Sequence, residues 1–215
     1  MMLQSLLGVW MCGVILAAFL WLPPAKGFQY PEAARIIVFH VPNAMAAVLA
    51  FLVSTVYAIK HLRGRNPADD AKSAASAQLG LLFALLAAVT GAVFAKIQWG
   101  SAWNWDPRQT TILILLLIYA AYFALRSSVE GSDRRAALSS AYAIIAFVTV
   151  PFLVFVVPRM TSSLHPSDTL TSRGGLGTQY RIVLFSAMAG FAGLYLWMFR
   201  LSVALAEIRN GKKGV

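Results

Sequence analysis

The chain has 215 residues, 59% of them hydrophobic and only 12% charged, with a formal net charge of +10. A water-soluble domain carries roughly a quarter charged residues, so this composition points to a bilayer, and the basicity reads as loop charge that orients membrane spans rather than as a nucleic-acid surface. The lone cysteine, Cys12, leaves no partner for an intrachain disulfide, a CxxC redox pair or a CxxCH attachment motif.

Six apolar runs follow in order, at about 3–22, 36–59, 74–95, 110–125, 138–157 and 180–205. Each approaches the ~20 residues that cross a hydrocarbon core as helix. None shows the alternation of a membrane β-strand. The expectation is an all-α integral membrane protein, a bundle of six transmembrane helices formed by residues 1–215 as a single membrane domain. The first run has no basic segment before it and no small-residue cleavage site before Pro23-Pro24, and reads as a retained helix. Pro151 interrupts the fifth run.

Charge sets the expected orientation. Eleven lysines and arginines fall after runs two, four and six (Lys60, Arg63, Arg65, Lys72, Arg126, Arg134, Arg135, Arg200, Arg209, Lys212, Lys213), against seven on the other side (Lys26, Arg35, Lys96, Arg108, Arg159, Arg173, Arg181). This excess places both termini in the cytoplasm and the segment between runs three and four outside.

That outer segment, Trp99-Gly100-Ser101-Ala102-Trp103-Asn104-Trp105-Asp106-Pro107-Arg108-Gln109, holds three tryptophans within seven residues. Two readings are open: an interfacial aromatic anchor, or a flat platform for a flat ligand. Trp99 and Trp103, four apart, would share one side of a helical turn, with Trp105 pointing elsewhere toward lipid. Asp106 reads as the N-cap of the fourth helix, Pro107 as its first residue, and Gln109 as the far half of a capping box.

Two histidines flank this segment. His40 sits within the second run, where an ionisable side chain is a functional candidate, and Pro42 withholds a backbone N–H there and would bend the helix. His165 lies in the last outer loop, either as an ordinary solvated residue or as a second ligand. His61, in a basic loop on the other side, has no assigned role. Imidazoles, indoles and nearby arginines suit haem: a plane of largely apolar surface with two propionates and an iron that takes neutral imidazole. Zinc would call for more ligands than this face offers. Arg108 and Arg173 are the first candidates for the propionates, with Arg35 and Arg159 next; the alternative for each arginine is snorkelling to lipid phosphate. The glycines at 174, 175 and 177 either permit close approach of a ligand or partner or form a flexible linker.

The run Trp99-Gly100-x-x-Trp103-x-Trp105-Asp106-Pro107-Arg108 resembles the WWD signature of haem-handling proteins in cytochrome c maturation. The segments around His40 (Arg35-Ile36-x-x-x-His40-Val41-Pro42) and Leu164-His165 are similar to the two histidine segments of the small six-span CcmC family within that group. The larger CcmF and CcsA types carry further spans and further histidines. The resemblance implies haem (b-type, transiently bound) at the outer face of the bacterial inner membrane, with His40 and His165 as axial ligands and the WWD segment against the macrocycle. It implies delivery to the haem chaperone CcmE and association with the transporter subunits CcmA and CcmB and the small membrane peptide CcmD. No acid–base or nucleophile set is visible, so a transfer protein is expected rather than an enzyme. The main alternative is a cytochrome b-like electron-transfer subunit, and a secondary transporter is a third reading. Because the spans show almost no polar lining, they are not expected to form a haem channel.

Overall fold

The computed structural model describes residues 2–165 and 176–211. Within them the helices are α1 (Met2–Leu20), α2 (Ile37–Gly64, entered through a 3-10 turn at Pro31–Ile36), α3 (Pro67–Trp99), α4 (Pro107–Ser128), α5 (Ser132–Pro151), α6 (Val157–Met160) and α7 (Thr178–Gly211). Among the described residues there is no strand. Five stretches are long and apolar enough to cross a membrane, and α1 adds a shorter apolar helix. Helices satisfy their own backbone groups, as lipid requires. The chain is a multi-pass helical membrane protein, as its composition predicts.

Helix α2 is the hub. It packs against α3, α5 and α7, α3 and α4 pack as neighbours, and α1 lies on α7. Small residues let α2 and α3 approach: a Cβ built on Gly80 would collide with the Phe51 ring, which is fully buried and stacked on Tyr119. Close approach through small residues is how helices gain packing energy where lipid offers no hydrophobic drive.

The interior is more polar than the sequence reading allowed. Ser76 donates to the Ala50 carbonyl at 2.6 Å and accepts from Tyr195 at 2.7 Å, which joins α2, α3 and α7. Ser73 donates to the Ser54 carbonyl, and Tyr142 to that of Ile118. Serines and tyrosines hidden in apolar runs look inconspicuous in sequence because most of each side chain is apolar or small. The expectation of almost no polar lining is corrected: hydroxyls line the core below the pocket end. At the opposite end Arg126 grips Asp70 with two bonds of 2.7 Å, tying α4 to the first turn of α3.

The fifth span is broken where Pro151 stands. Residues Phe152–Val156 form a π-helical turn, with the Val157 N–H bonding back to the Phe152 carbonyl, before α6 resumes. Proline removes one backbone donor and clashes with the preceding turn, and Pro158 repeats the constraint seven residues later. Helix α2, by contrast, runs unbroken through Pro42, which is buried.

The tight α2–α3 contact yields an expected outcome. Gly80→Ala lowers the thermal unfolding midpoint in detergent, with a cost of about 1–3 kcal/mol for overpacking; Gly64→Ala, whose Cβ meets nothing within 4 Å, leaves it near wild type.

Candidate functional site

The site is built where α3 ends and α4 begins. Helix α3 runs on to Trp99 and stops at Gly100, which adopts φ +78° in the left-handed region, a conformation that costs glycine nothing. The Lys96 ammonium donates to the Gly100 carbonyl at 2.9 Å. The chain then crosses irregularly to Asp106, the N-cap of α4, whose carboxylate accepts from the Arg108 N–H at 2.9 Å.

Asp106 does far more than cap. It is 4% exposed. Its Oδ1 also accepts from His165 Nδ1 at 3.0 Å, and its Oδ2 accepts from the Ser163 hydroxyl at 2.8 Å and the Leu164 N–H at 2.7 Å. One carboxylate thus holds Ser163, Leu164 and His165 against the WWD segment across 57 to 59 residues of sequence. Burial works to raise this carboxyl, but the donors from Leu164, Ser163 and Arg108 and the neighbouring His165 outweigh it and hold it below the usual range. The sequence reading gave Asp106 a capping role and, within the WWD segment, a place among the haem-binding residues; the second partner set comes from a loop that no local pattern connects to it.

Gln109 corrects the capping-box expectation. Its side chain does not return to Asp106. It accepts from the Asn104 N–H at 2.8 Å and donates to the Ala102 carbonyl at 3.1 Å, bracing the WWD segment from within.

His165 is fixed by the same carboxylate. A carboxylate only accepts, so Nδ1 must donate, and Nε2 keeps its lone pair. Burial lowers the imidazole pKa, the Asp106 carboxylate partly offsets this, and Arg108 lowers it further, so the net shift is downward and the ring is neutral at pH 7. Trp99 meets the imidazole edge-on, with centroids 4.8 Å apart. Behind Trp99 the chain of edge contacts continues to Phe94 at 5.4 Å and Phe28 at 6.1 Å.

His40 is fixed by a different device with the same result. Its Nδ1 lies 3.1 Å from Thr90 Oγ1. That hydroxyl is itself 2.7 Å from the Leu86 carbonyl and 3.1 Å from that of Ala87, so its one proton points at the α3 backbone. Thr90 therefore accepts from Nδ1, and Nε2 is again the free lone pair. A Cβ on Gly91 would lie 3.0 Å from His40 Cε1, so glycine gives the ring its seat and a larger residue would press on it. Thr90 and Gly91 were invisible to the sequence reading, since their role exists only through α2–α3 packing.

His40, His165, Trp103 and Arg108 line one cavity, with Gln109 and Arg159. Below them its wall is apolar: Ala44, Ala47, Val48, Ala88 and Leu115. Val154 and Phe155 of the π turn close one side. Arg108 Nε is buried without a partner among the described residues, and Arg159 donates to the Phe155 carbonyl at 2.7 Å.

The tryptophans do not stack as the spacing suggested. Trp99 closes α3 and touches His165, whereas Trp103, beyond the helix end, meets Trp105 edge-on at 5.7 Å. The helical turn that would align Trp99 with Trp103 ends at Gly100. Trp105 takes φ +55° and is 71% exposed, a conformation that costs a bulky residue of order 1–3 kcal/mol. Arg35 lies elsewhere, paired with Glu32 at 2.7 Å and donating to the Leu22 carbonyl. Arg173 lies outside the described residues.

Fold and site together define a multi-pass helical membrane protein with a two-histidine, tryptophan-lined pocket at one end of its bundle. A family model described as CcmC, Heme exporter protein C, matches residues 1–213, and the chain belongs to that family. It is 33% identical over 192 residues to Heme exporter protein C of Paracoccus denitrificans (strain Pd 1222), covering 86% of this chain and 79% of the relative. It is 29% identical over 188 residues to Heme exporter protein C of Escherichia coli (strain K12), covering 85% and 76%. A Marchantia polymorpha relative whose name includes "cytochrome c biosynthesis ccmC-like mitochondrial protein" is 31% identical over 173 residues, covering 80% and 72%.

The loop tie at Asp106 generates an expected outcome. Asp106→Asn turns an amide NH2 either on the Ser163 and Leu164 donors at the Oδ2 position or on the Arg108 and His165 donors at the Oδ1 position, at about 1–3 kcal/mol for an unsatisfied buried group. Hydrogen exchange followed by mass spectrometry should show peptides covering 161–165 opening roughly tenfold or more faster, while peptides in α2 are unchanged.

Proposed function

We propose that the protein binds haem at the outer face of the bacterial inner membrane and hands it to the haem chaperone CcmE for c-type cytochrome assembly. In this reading both termini are cytoplasmic, CcmA, CcmB and CcmD are partners, and the cargo is b-type haem held transiently. The observation that carries the reading is the pair of tautomer-locked imidazoles: His40 and His165 line one cavity, each with Nδ1 engaged and Nε2 open. Neutral imidazole with its second nitrogen hydrogen-bonded is the form in which histidine ligates metal. Haem bound there would be held through its iron by the open Nε2 of His40 and of His165.

The rest of the pocket fits the same cargo. The apolar wall suits the porphyrin edge, and Trp103 offers an aromatic face or edge to the ring. Arg108, with an unpartnered buried Nε, suits a propionate, and Arg159 stands at the same rim. The exposed, strained Trp105 and the loop at Ser163–His165 present the cargo's outer edge to a partner. Haem held here would be released only when both histidines let go: His165 sits on a loop tied by Asp106, whereas His40 is seated between α2 and α3.

The test is absorption spectroscopy of protein purified from a haem-replete host. Wild type should show a low-spin Soret band. His40→Ala and His165→Ala should each weaken or shift it, and unchanged spectra in both variants would sink the axial assignment. Thr90→Val, which keeps the shape but removes the Nδ1 acceptor, should lower haem affinity about 10- to 100-fold, the scale of losing a partner behind a metal ligand; titration of the apoprotein with haemin measures it.

A further inference from the structure

At the end of the bundle opposite the pocket, two cationic side chains from two helices gather around one tyrosine. Lys60 of α2 and Lys72 of α3 place their ammonium groups 5.1 and 5.4 Å from the centre of the Tyr57 ring. Phe199 of α7 stacks on the same ring at 5.9 Å, and Arg200 follows it in sequence. Phe199 is in turn stacked on Tyr195, whose hydroxyl is bonded to Ser76 of α3. The three helices are therefore fixed relative to one another at this level, and the cluster is not a chance meeting of mobile tails.

Among the described residues no carboxylate pairs with Lys60, Lys72 or Arg200. Asp70, the acid nearest to Lys72 in sequence, is committed to Arg126. Two ammonium groups sharing one ring repel each other, and an anion between them relieves that repulsion. Beneath the cluster α2 carries an apolar stripe at helical spacing, Leu49, Leu52, Val53, Val56 and Tyr57, ending at Lys60. Leu52 and Val56 are each 43% exposed.

We propose that this corner binds one anionic phospholipid, its phosphate between Lys60 and Lys72 against the Tyr57 ring and an acyl chain along the α2 stripe. Basic pockets between membrane helices recognise acidic headgroups in this way. The stripe is what favours a lipid over a free anion: a soluble phosphate would have no use for apolar surface directly below the charges. The bound lipid joins α2 and α3, the helices that carry His40 and its Thr90–Gly91 seat at the other end.

The test compares the full chain reconstituted in phosphatidylcholine with and without phosphatidylglycerol, by lipid titration and native mass spectrometry of retained lipid. Wild type should retain phosphatidylglycerol selectively. Lys60→Gln/Lys72→Gln should lower its apparent affinity roughly tenfold or more, as expected for two lysines near a membrane surface. Lys60→Arg/Lys72→Arg should restore it, which separates loss of charge from misfolding. Arg134→Gln/Arg135→Gln, which removes as much charge from the start of α5, should leave it unchanged. Unaltered retention in the glutamine pair, an equal loss in the Arg134/Arg135 control, or full competition by inorganic phosphate would each overturn the proposal.

Discussion

A single buried carboxylate organises the pocket end of this protein. Asp106 accepts four hydrogen bonds, from Arg108, His165, Ser163 and Leu164. The first sets where α4 begins, and the others pull the last outer loop onto the WWD segment. A buried anion so surrounded stays ionised, and only as an anion can it accept from all four donors. The acid that ends the signature is thus the point where two sequence-distant loops become one wall.

The two histidines reach equivalent states by unlike means. His165 sits on a loop and depends on an anion; His40 sits on a helix and depends on a neutral hydroxyl already turned toward the α3 backbone. A charged partner makes an imidazole more basic, whereas a neutral acceptor fixes the tautomer without adding charge. The asymmetry leaves one imidazole on a packed helix pair, α2 and α3, and the other on a loop held by a single carboxylate.

Much of this was legible in the residues and some was not. The spans, the start of α4 and the break at Pro151 follow from local rules: apolar length, an Asp-Pro cap, a missing backbone donor. His40 stood out as an ionisable residue in an apolar run. Thr90, Gly91 and Gln109 did not, since a threonine and a glycine in a helix, or a glutamine after a cap, acquire their roles only from contacts across the bundle. Gln109 also shows how a correct local pattern yields the wrong bond: with Asn104 and Ala102 folded over it, the side chain braces the loop instead of closing a capping box. Tyr195 is fully buried, and its hydroxyl, bonded to Ser76, joins α7 to α3 in a way no local pattern announces.

The account stands on both imidazoles meeting the same iron, and electron–nuclear double resonance on the ferric, haem-loaded protein carrying 15N-labelled histidine tests it directly. Two strongly coupled histidine nitrogens in one low-spin species are predicted, reduced to one when either His40 or His165 is replaced. A single coupled nitrogen in the unmodified protein, or a pair that survives loss of either residue, would contradict it.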